Sequence, residues 1–277
     1  TSKIILDIYN CLKIRRNMST KTSILIKIGL VLLLFSFSGC DSSEGKELNG
    51  ISKAKEDFSV KVEKKSPLTK ENYLSFFRKF PLESNIDTLV ITCEFGEIEI
   101  VLFQNTPLHR ANFLHLVKNN YFNGTWFHRV SANHVIQAGN SDDFKTITKR
   151  KEIGNYRLPA EALTENLHFY GAVAAARSYK NNPERNSDPF EFYISLGEKY
   201  SLGQLAVMEE KYNLTLSSEQ KKQYQILGGS PHLDGEHTVF GKVINGMEVA
   251  EKISKQKTDK GEWPLINIPI KISKKNK

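Results

Sequence analysis

Apolar and polar positions alternate from Glu97 to Phe103, with Ile98, Ile100 and Leu102 on one side and Glu97, Glu99 and Val101 on the other. That period of two predicts a half-buried strand. Leu89 to Phe95 predicts a strand before it, with Gly96 turning the chain between them. Thr106-Pro107 then opens a helix, with Thr as N-cap and Pro at the first position, where its missing N–H costs nothing. Phe113, Leu116 and Val117 make the apolar face of that helix. Asn123-Gly124 is a turn signal leading into a strand over Phe127-His128-Arg129. Further short strands are expected at Val135–Ala138, Ala172–Ala175, Glu191–Ser195, Thr238–Val243 and Ile266–Ile272, with a second helix at Met247–Ser254. Many short strands with two helices predict a mainly β fold, a closed antiparallel barrel.

One segment breaks the pattern. Tyr200–Tyr212 and Ser217–Leu227 both look helical, and Gly228-Gly229 supplies a stop. They predict a helical hairpin inserted at about 198–231, either a surface elaboration packed on the barrel or a site for a partner or substrate. Before the barrel, Thr69 to Phe80 predicts a short helix with Tyr73, Phe76 and Phe77 on one side and Pro81 ending it. It forms a short helical extension over 66–85.

The N-terminal part has a different character. From Met18, Lys21 and Lys27 supply a positive region, Ile28 to Phe37 an apolar run, and Phe37-Ser38-Gly39-Cys40 a close in small residues. An apolar run of about ten residues is short of the roughly 20 that span a bilayer. Residues 18–39 are therefore expected to be a secretory leader. Small residues just before a cysteine resemble a bacterial lipobox, in which Cys40 would be diacylated and become the mature N-terminus. Several acyl chains on one cysteine anchor a protein without a spanning helix. Residues 40–65 are polar and rich in Lys and Glu and read as a flexible tether. Residues 1–17 are expected to be untranslated. The implied location is extracytoplasmic, on a membrane facing the periplasm or in the outer membrane of a bacterium.

Composition removes other readings. At 277 residues, with 39% hydrophobic and 25% charged side chains, the chain is ordinary for a globular protein. The net charge of +8 would invite a nucleic-acid reading, but residues 1–39 hold six basic side chains and one acid. The remainder has 33 basic and 30 acidic residues, too even a balance for a nucleic-acid footprint. Of three cysteines, Cys11 lies upstream and Cys40 would carry lipid, so Cys93 is left as a small buried hydrophobe without a disulfide partner. No metal site and no cofactor is expected. A metal-dependent hydrolase using some of the seven histidines is opposed by the absence of H-E-x-x-H.

Four blocks carry the chemistry. They are Gly96–Ile100 with Thr106-Pro107 and Asn112-Phe113; Tyr121–Thr125 into Phe127-His128-Arg129, with Val135-Ile136-Gln137-Ala138-Gly139; Gly171–Arg177 with Asn186-Ser187 and Phe192-Tyr193-Ile194; and His232–Val243. In that order they resemble the cyclophilins, over roughly Leu89 to Ile272. The inserted hairpin just before the fourth block resembles a subset of bacterial, lipoprotein-type members. The resemblance implies an eight-stranded cyclophilin-like barrel over 86–277, capped by two helices. It also implies peptidyl-prolyl cis-trans isomerase activity on Pro-containing unfolded or flexible polypeptides, by a protein that works as a monomer.

That reaction suits the residues. An X-Pro bond isomerises over a barrier of about 18–20 kcal/mol because amide resonance must be broken. No covalent intermediate is needed, only an apolar seat for proline and a fixed charge that favours the twisted amide. By resemblance Arg129 supplies the charge, with His128 and Gln137 beside it and Gln137 holding Arg129 or substrate backbone. His134, Val135, Tyr193 and Leu233 would line the proline pocket. Ala176, Arg177, Glu191, His232 and His237 would border the groove. Several positions depart from the family pattern. His134 stands for Phe, Val135 for Met, Ala138 for Gly, Glu191 for Gln, His232 for the Trp of many members, and Trp263-Pro264 for Arg-Pro. A carboxylate at 191 is expected to compete for Arg129, since a pair about 4 Å apart at a dielectric near 20 interacts by about 4 kcal/mol. Arg177 is the group that could draw it off. The alternative reading is a cyclophilin-like module that binds proline peptides with little turnover.

Overall fold

The computed structural model describes residues 66–81 and 88–275. Residues 1–17, the leader at 18–39, Cys40 and the tether to residue 65 lie outside the described residues. Eight strands make one sheet: β1 (Thr88–Cys93), β2 (Gly96–Leu102), β3 (Trp126–Ser131), β4 (Val135–Asn140), β5 (Ala172–Ala175), β6 (Phe192–Ser195), β7 (Val239–Asn245) and β8 (Lys271–Lys274). Their spatial order is β3-β4-β6-β5-β7-β2-β1-β8, with every ladder antiparallel. The two ends of this curled sheet meet. Phe127 N–H donates to Ile268 O at 3.0 Å, and Ile270 N–H donates to Thr125 O at 2.8 Å. The closing strand is therefore shorter than the expected Ile266–Ile272. Its first half stitches to β3 through isolated bonds because Pro269 has no N–H to offer a regular ladder.

Among the described residues six α-helices accompany the sheet: α1 (Tyr73–Arg78), α2 (Pro107–Lys118), α3 (Phe144–Ile153), α4 (Leu202–Tyr212), α5 (Ser218–Ile226) and α6 (Met247–Ser254). Phe113, Leu116 and Val117 of α2, with Val249, Ala250 and Ile253 of α6, join the inward side chains of the strands in one core. These are the two helices that periodicity predicts, and α4 and α5 are the inserted hairpin. Helix α3 has no apolar stripe to announce it: of its ten residues only Thr146 is buried. It is set by its ends, with Asp143 accepting from Lys145 N–H and Gly154 beyond its last turn.

The cap of α2 differs from expectation. The hydroxyl of Thr106 makes no capping bond and is buried without a hydrogen-bond partner. The carboxylate of Glu161 caps instead, accepting from Leu108 N–H at 3.1 Å and His109 N–H at 3.0 Å. An anion at a helix N-terminus meets both the orphan donors and the dipole. At the N-terminal side, α1 is shorter than the expected Thr69–Phe80. Its Phe77 is buried beside Leu68, Ala111, Tyr156 and Leu158, so the extension is packed onto the barrel domain. Cys93 is half-buried against the main core, and burial pushes its thiol up.

Candidate active site

Strand register assembles the site. Arg129 of β3 lies opposite Gln137 of β4, Gln137 opposite Tyr193 of β6, and Tyr193 opposite Ala174 of β5. Directly paired residues share a face, so these four form one row across four strands. The alternate positions Val130, Ile136, Ala138, Phe192, Ile194, Val173 and Ala175 fill the core, which puts the row on the outer face. In β3 the register shifts between Phe127 and Arg129: Phe127 pairs with Ala138 and Arg129 with the very next position, Gln137. This bulge at His128 is what keeps Phe127 in the core while aiming Arg129 outward.

A second, smaller apolar cluster lies on that outer face. Val135, Ala172, Ala174, Ala176, Tyr193, Leu233 and Val239 pack together, with Phe103 against them. Leu233 enters from a short 3-10 turn over Pro231–Leu233. The residues expected to seat proline (Val135, Tyr193 and Leu233) are thus brought together, and Ala176 with them. His134 and His232 face each other with ring centroids 5.2 Å apart. Burial, then the charge of Arg129, pushes the His134 imidazole down. Burial, then His134 itself, does the same to His232. His237 donates from Nδ1 to Ala175 O at 3.1 Å and accepts at Nε2 from the Tyr179 hydroxyl at 2.7 Å. Its burial holds it down to about 4 against the ordinary 6.5, so it is neutral at physiological pH.

The charges are paired differently from expectation. Arg129 Nε donates to Glu262 Oε2 at 2.7 Å, and the Ser131 hydroxyl donates to Glu262 Oε1 at 2.6 Å. Glu191 is held elsewhere. Its Oε1 accepts from Arg150 at 2.9 Å and its Oε2 from Gln137 Nε2 at 2.9 Å, with His128 Nε2 at 3.4 Å. Burial raises the Glu191 carboxyl, but the hydrogen bonds and charge of His128 and Arg150 outweigh it and hold the group at about 2. So Gln137 binds Glu191 rather than Arg129, and the expected competition of Glu191 for Arg129 does not arise. Nor is Arg177 the residue that draws Glu191 off. Arg177 is tied to Glu236, through the backbone carbonyl at 2.7 Å and the side chain, and its guanidinium lies over the Tyr179 ring.

Sequence reasoning missed the two residues that decide this pairing. Arg150 lies on α3, the helix without an apolar stripe. Besides Glu191, it donates to the Tyr121 hydroxyl and to Gly139 O. Glu262 sits in a loop folded around Asp259, whose carboxylate accepts from Gly261 N–H and Trp263 N–H. That loop holds Glu262 at φ 63°, a region a non-glycine residue rarely adopts. Trp263, beside it, lies over His128 at 5.7 Å between centroids. Only the local signal Asp259-x-Gly261, a turn former, hinted at this loop. Among the described residues no group of three or more His, Cys, Asp or Glu side chains is arranged to hold a metal ion.

The family model described as cyclophilin type peptidyl-prolyl cis-trans isomerase/CLD matches residues 88–275. The chain is 32% identical over 160 residues to a peptidyl-prolyl cis-trans isomerase of Acinetobacter baylyi, covering 57% of this chain and 67% of that one. It is 30% identical over 185 residues to peptidyl-prolyl cis-trans isomerase A of Dickeya dadantii, covering 66% and 78%. In fold it resembles a cyclophilin type isomerase of Cryptosporidium parvum, with a TM-score of 0.50 at 22% identity, over 69% of this chain and 99% of that chain. The extent of the family match, on an eight-stranded curled sheet with Arg129 and Gln137 paired on its outer face, places the chain among the cyclophilins as a peptidyl-prolyl cis-trans isomerase.

Proposed function

We propose that this isomerase acts outside the cytoplasm, tethered to a membrane through lipidated Cys40, on proline-containing segments of folding polypeptides, and that Arg129 is its electrostatic catalyst. The observation that carries the catalytic part is the row Arg129–Gln137–Tyr193 beside the apolar cluster of Val135, Tyr193 and Leu233. A proline ring seated on that cluster brings the preceding amide to the guanidinium. Arg129 bonds Glu262 through Nε, which leaves its two terminal amino groups to donate to the substrate carbonyl and to the proline nitrogen as conjugation is lost. Arginine suits the task because it stays charged and offers a rigid donor fork. Gln137 and His128, both bonded or close to Glu191, form the floor beside it. His134, Ala176, His232 and His237 border the groove. Unaided, the bond takes tens to hundreds of seconds to turn, slow enough to limit folding.

The location rests on the sequence: a charged start at Lys21 and Lys27, the apolar run Ile28–Phe37, and Ser38-Gly39 before Cys40, followed by a polar stretch. Two measurements test the reading. Isomerisation of an Ala-Pro peptide is expected to fall by at least tenfold in Arg129→Ala, and an unchanged rate removes Arg129 from its role. Labelled palmitate is expected on the wild-type chain expressed in a bacterium and absent from Cys40→Ser. Unlabelled wild-type protein sinks the anchor.

A further inference from the structure

The inserted hairpin is joined to the proline pocket by an unbroken chain of buried hydrogen bonds. Tyr224 of α5 donates its hydroxyl to Asp234 Oδ2 at 2.6 Å. Asp234 Oδ1 accepts from His168 twice, from the backbone N–H at 2.8 Å and from ring Nδ1 at 2.9 Å. His168 Nε2 lies 2.9 Å from the Tyr193 hydroxyl. Of these four, His168 and Tyr224 are fully buried and the other two nearly so. The polarity of the chain follows from its acceptor. A carboxylate only accepts, so His168 donates from Nδ1 to Asp234, which leaves Nε2 to meet the Tyr193 hydroxyl.

The hairpin is built to hold Tyr224 in place. Both helices start in capping boxes, Ser201 with Gln204 and Ser217 with Gln220, so they are specified locally. Tyr224 packs against Phe169 with ring centroids 4.6 Å apart and planes tilted by 48°, in one buried cluster with Leu205 and Leu216. The base of the hairpin is fastened to the segment that carries His168: Ser230 N–H donates to His168 O at 2.7 Å, and Tyr170 N–H to Gly228 O at 3.0 Å. Gly229 is required there, since a Cβ would stand 2.1 Å from His168 O. Asp234 also directly follows Leu233, so one carboxylate ties the hairpin both to Tyr193 and to the turn that delivers Leu233.

We infer that the hairpin sets the shape of the proline pocket, with Tyr224, Asp234 and His168 acting as positioning residues for Tyr193. The inference rests on the reading of Tyr193 and Leu233 as pocket walls. A buried network of this kind is rigid while every member is satisfied. Removing one hydroxyl leaves an oxygen of a buried carboxylate unmet and lets the whole network shift. A surface elaboration would need no such link to the groove.

The test compares Tyr224→Phe, Tyr193→Phe, the double variant and Leu233→Ala in the full chain, each assayed well below its unfolding midpoint. Substrates are an Ala-Pro peptide and its analogue with the six-membered pipecolic ring. Tyr224→Phe is expected to raise KM for the proline peptide three- to tenfold with kcat changed less than twofold, and to narrow the preference for proline over the larger ring. The double variant is expected to match Tyr193→Phe alone, because both deletions cut one network. An unchanged KM in Tyr224→Phe, where Leu233→Ala raises KM, overturns the relay and leaves the pocket reading standing. Additive effects of the two Tyr→Phe changes overturn it also. An unchanged KM in Leu233→Ala removes the pocket reading and the relay with it. Should Tyr224→Phe fail to fold, the ring 15N shifts of His168 in the wild type decide. A proton on Nδ1 supports the relay, and the Nε2–H form with a bare Nδ1 overturns it.

Discussion

Glu262 bonds the inner nitrogen of Arg129 and leaves the outer two, so it fixes the fork without occupying it. The pair is 38% and 40% exposed, and pairs of that kind add only about 0.2–1 kcal/mol to stability. Its effect is therefore expected in catalysis. Glu262→Ala should lower kcat/KM about three- to fivefold, mostly in kcat, with unfolding free energy changed by no more than about 1 kcal/mol. A gain in kcat/KM, measured on an Ala-Pro peptide, would show instead that Glu262 competes with substrate. Glu191 acts in the opposite way, on stability. Its folded-state carboxyl is held at about 2 against an ordinary 4.5, so it stabilises the fold above about pH 4.5 and that contribution is lost as pH falls through 2. His237 is held at about 4 against 6.5, so the unfolded chain binds its proton first and stability declines between pH 6.5 and 4. Urea unfolding from pH 7 to 2.5 should show both windows. Glu191→Gln is expected to flatten the lower one and His237→Asn the upper, and parallel curves for wild type and variants would count against these shifts.

Helix α3 is the element on which the charge pattern turns. It presents Arg150 to Glu191, Tyr121 and Gly139, and so keeps a carboxylate beside Gln137 from joining Arg129. Arg150→Ala frees that carboxylate and leaves it partly buried. We expect kcat/KM to fall at least fivefold, with recovery in Arg150→Ala/Glu191→Gln. A double variant as slow as the single one would break the link between α3 and the site. The end of β4, which leads into α3, is as constrained. Gly139 has φ +103°, and a Cβ there would lie 2.1 Å from Phe190 O, backbone that cannot step aside cheaply. Gly139→Ala is expected to cost more than about 2 kcal/mol in denaturant unfolding, through strain at a positive φ and displacement of the 190–191 segment. Periodicity could not announce α3, because a helix that faces solvent on nearly every side has no apolar stripe to read. The strands were legible for the opposite reason: burial on one face writes period two into Ile98, Ile100 and Leu102.

At the scale of the molecule, the sheet closes where the chain around Ile268 and Ile270 bonds to β3, and the segment before β1 packs onto the outside of that body. Phe77 of α1 is buried with its ring edge toward Phe76 and His115, so the extension is part of the domain. Phe77→Ala should destabilise the protein by about 3–4 kcal/mol, read as a lowered midpoint in thermal or urea unfolding, and a change below about 1 kcal/mol would show that α1 is dispensable. The sequence alone determined most of the strands, the two core helices and the inserted hairpin, because alternation and turn residues are local properties, and the resemblance of its ordered motifs named Arg129, Gln137 and Tyr193, which strand register then set in one row. It also determined which groups carry charge. Only the tertiary structure decided which charges meet. Glu262 is 133 residues from Arg129, Glu191 is 41 from Arg150, and Tyr224 reaches Tyr193 through Asp234 and His168. Ion pairs and buried hydrogen bonds depend on distance and burial after the chain has closed, and no spacing along the sequence encodes them.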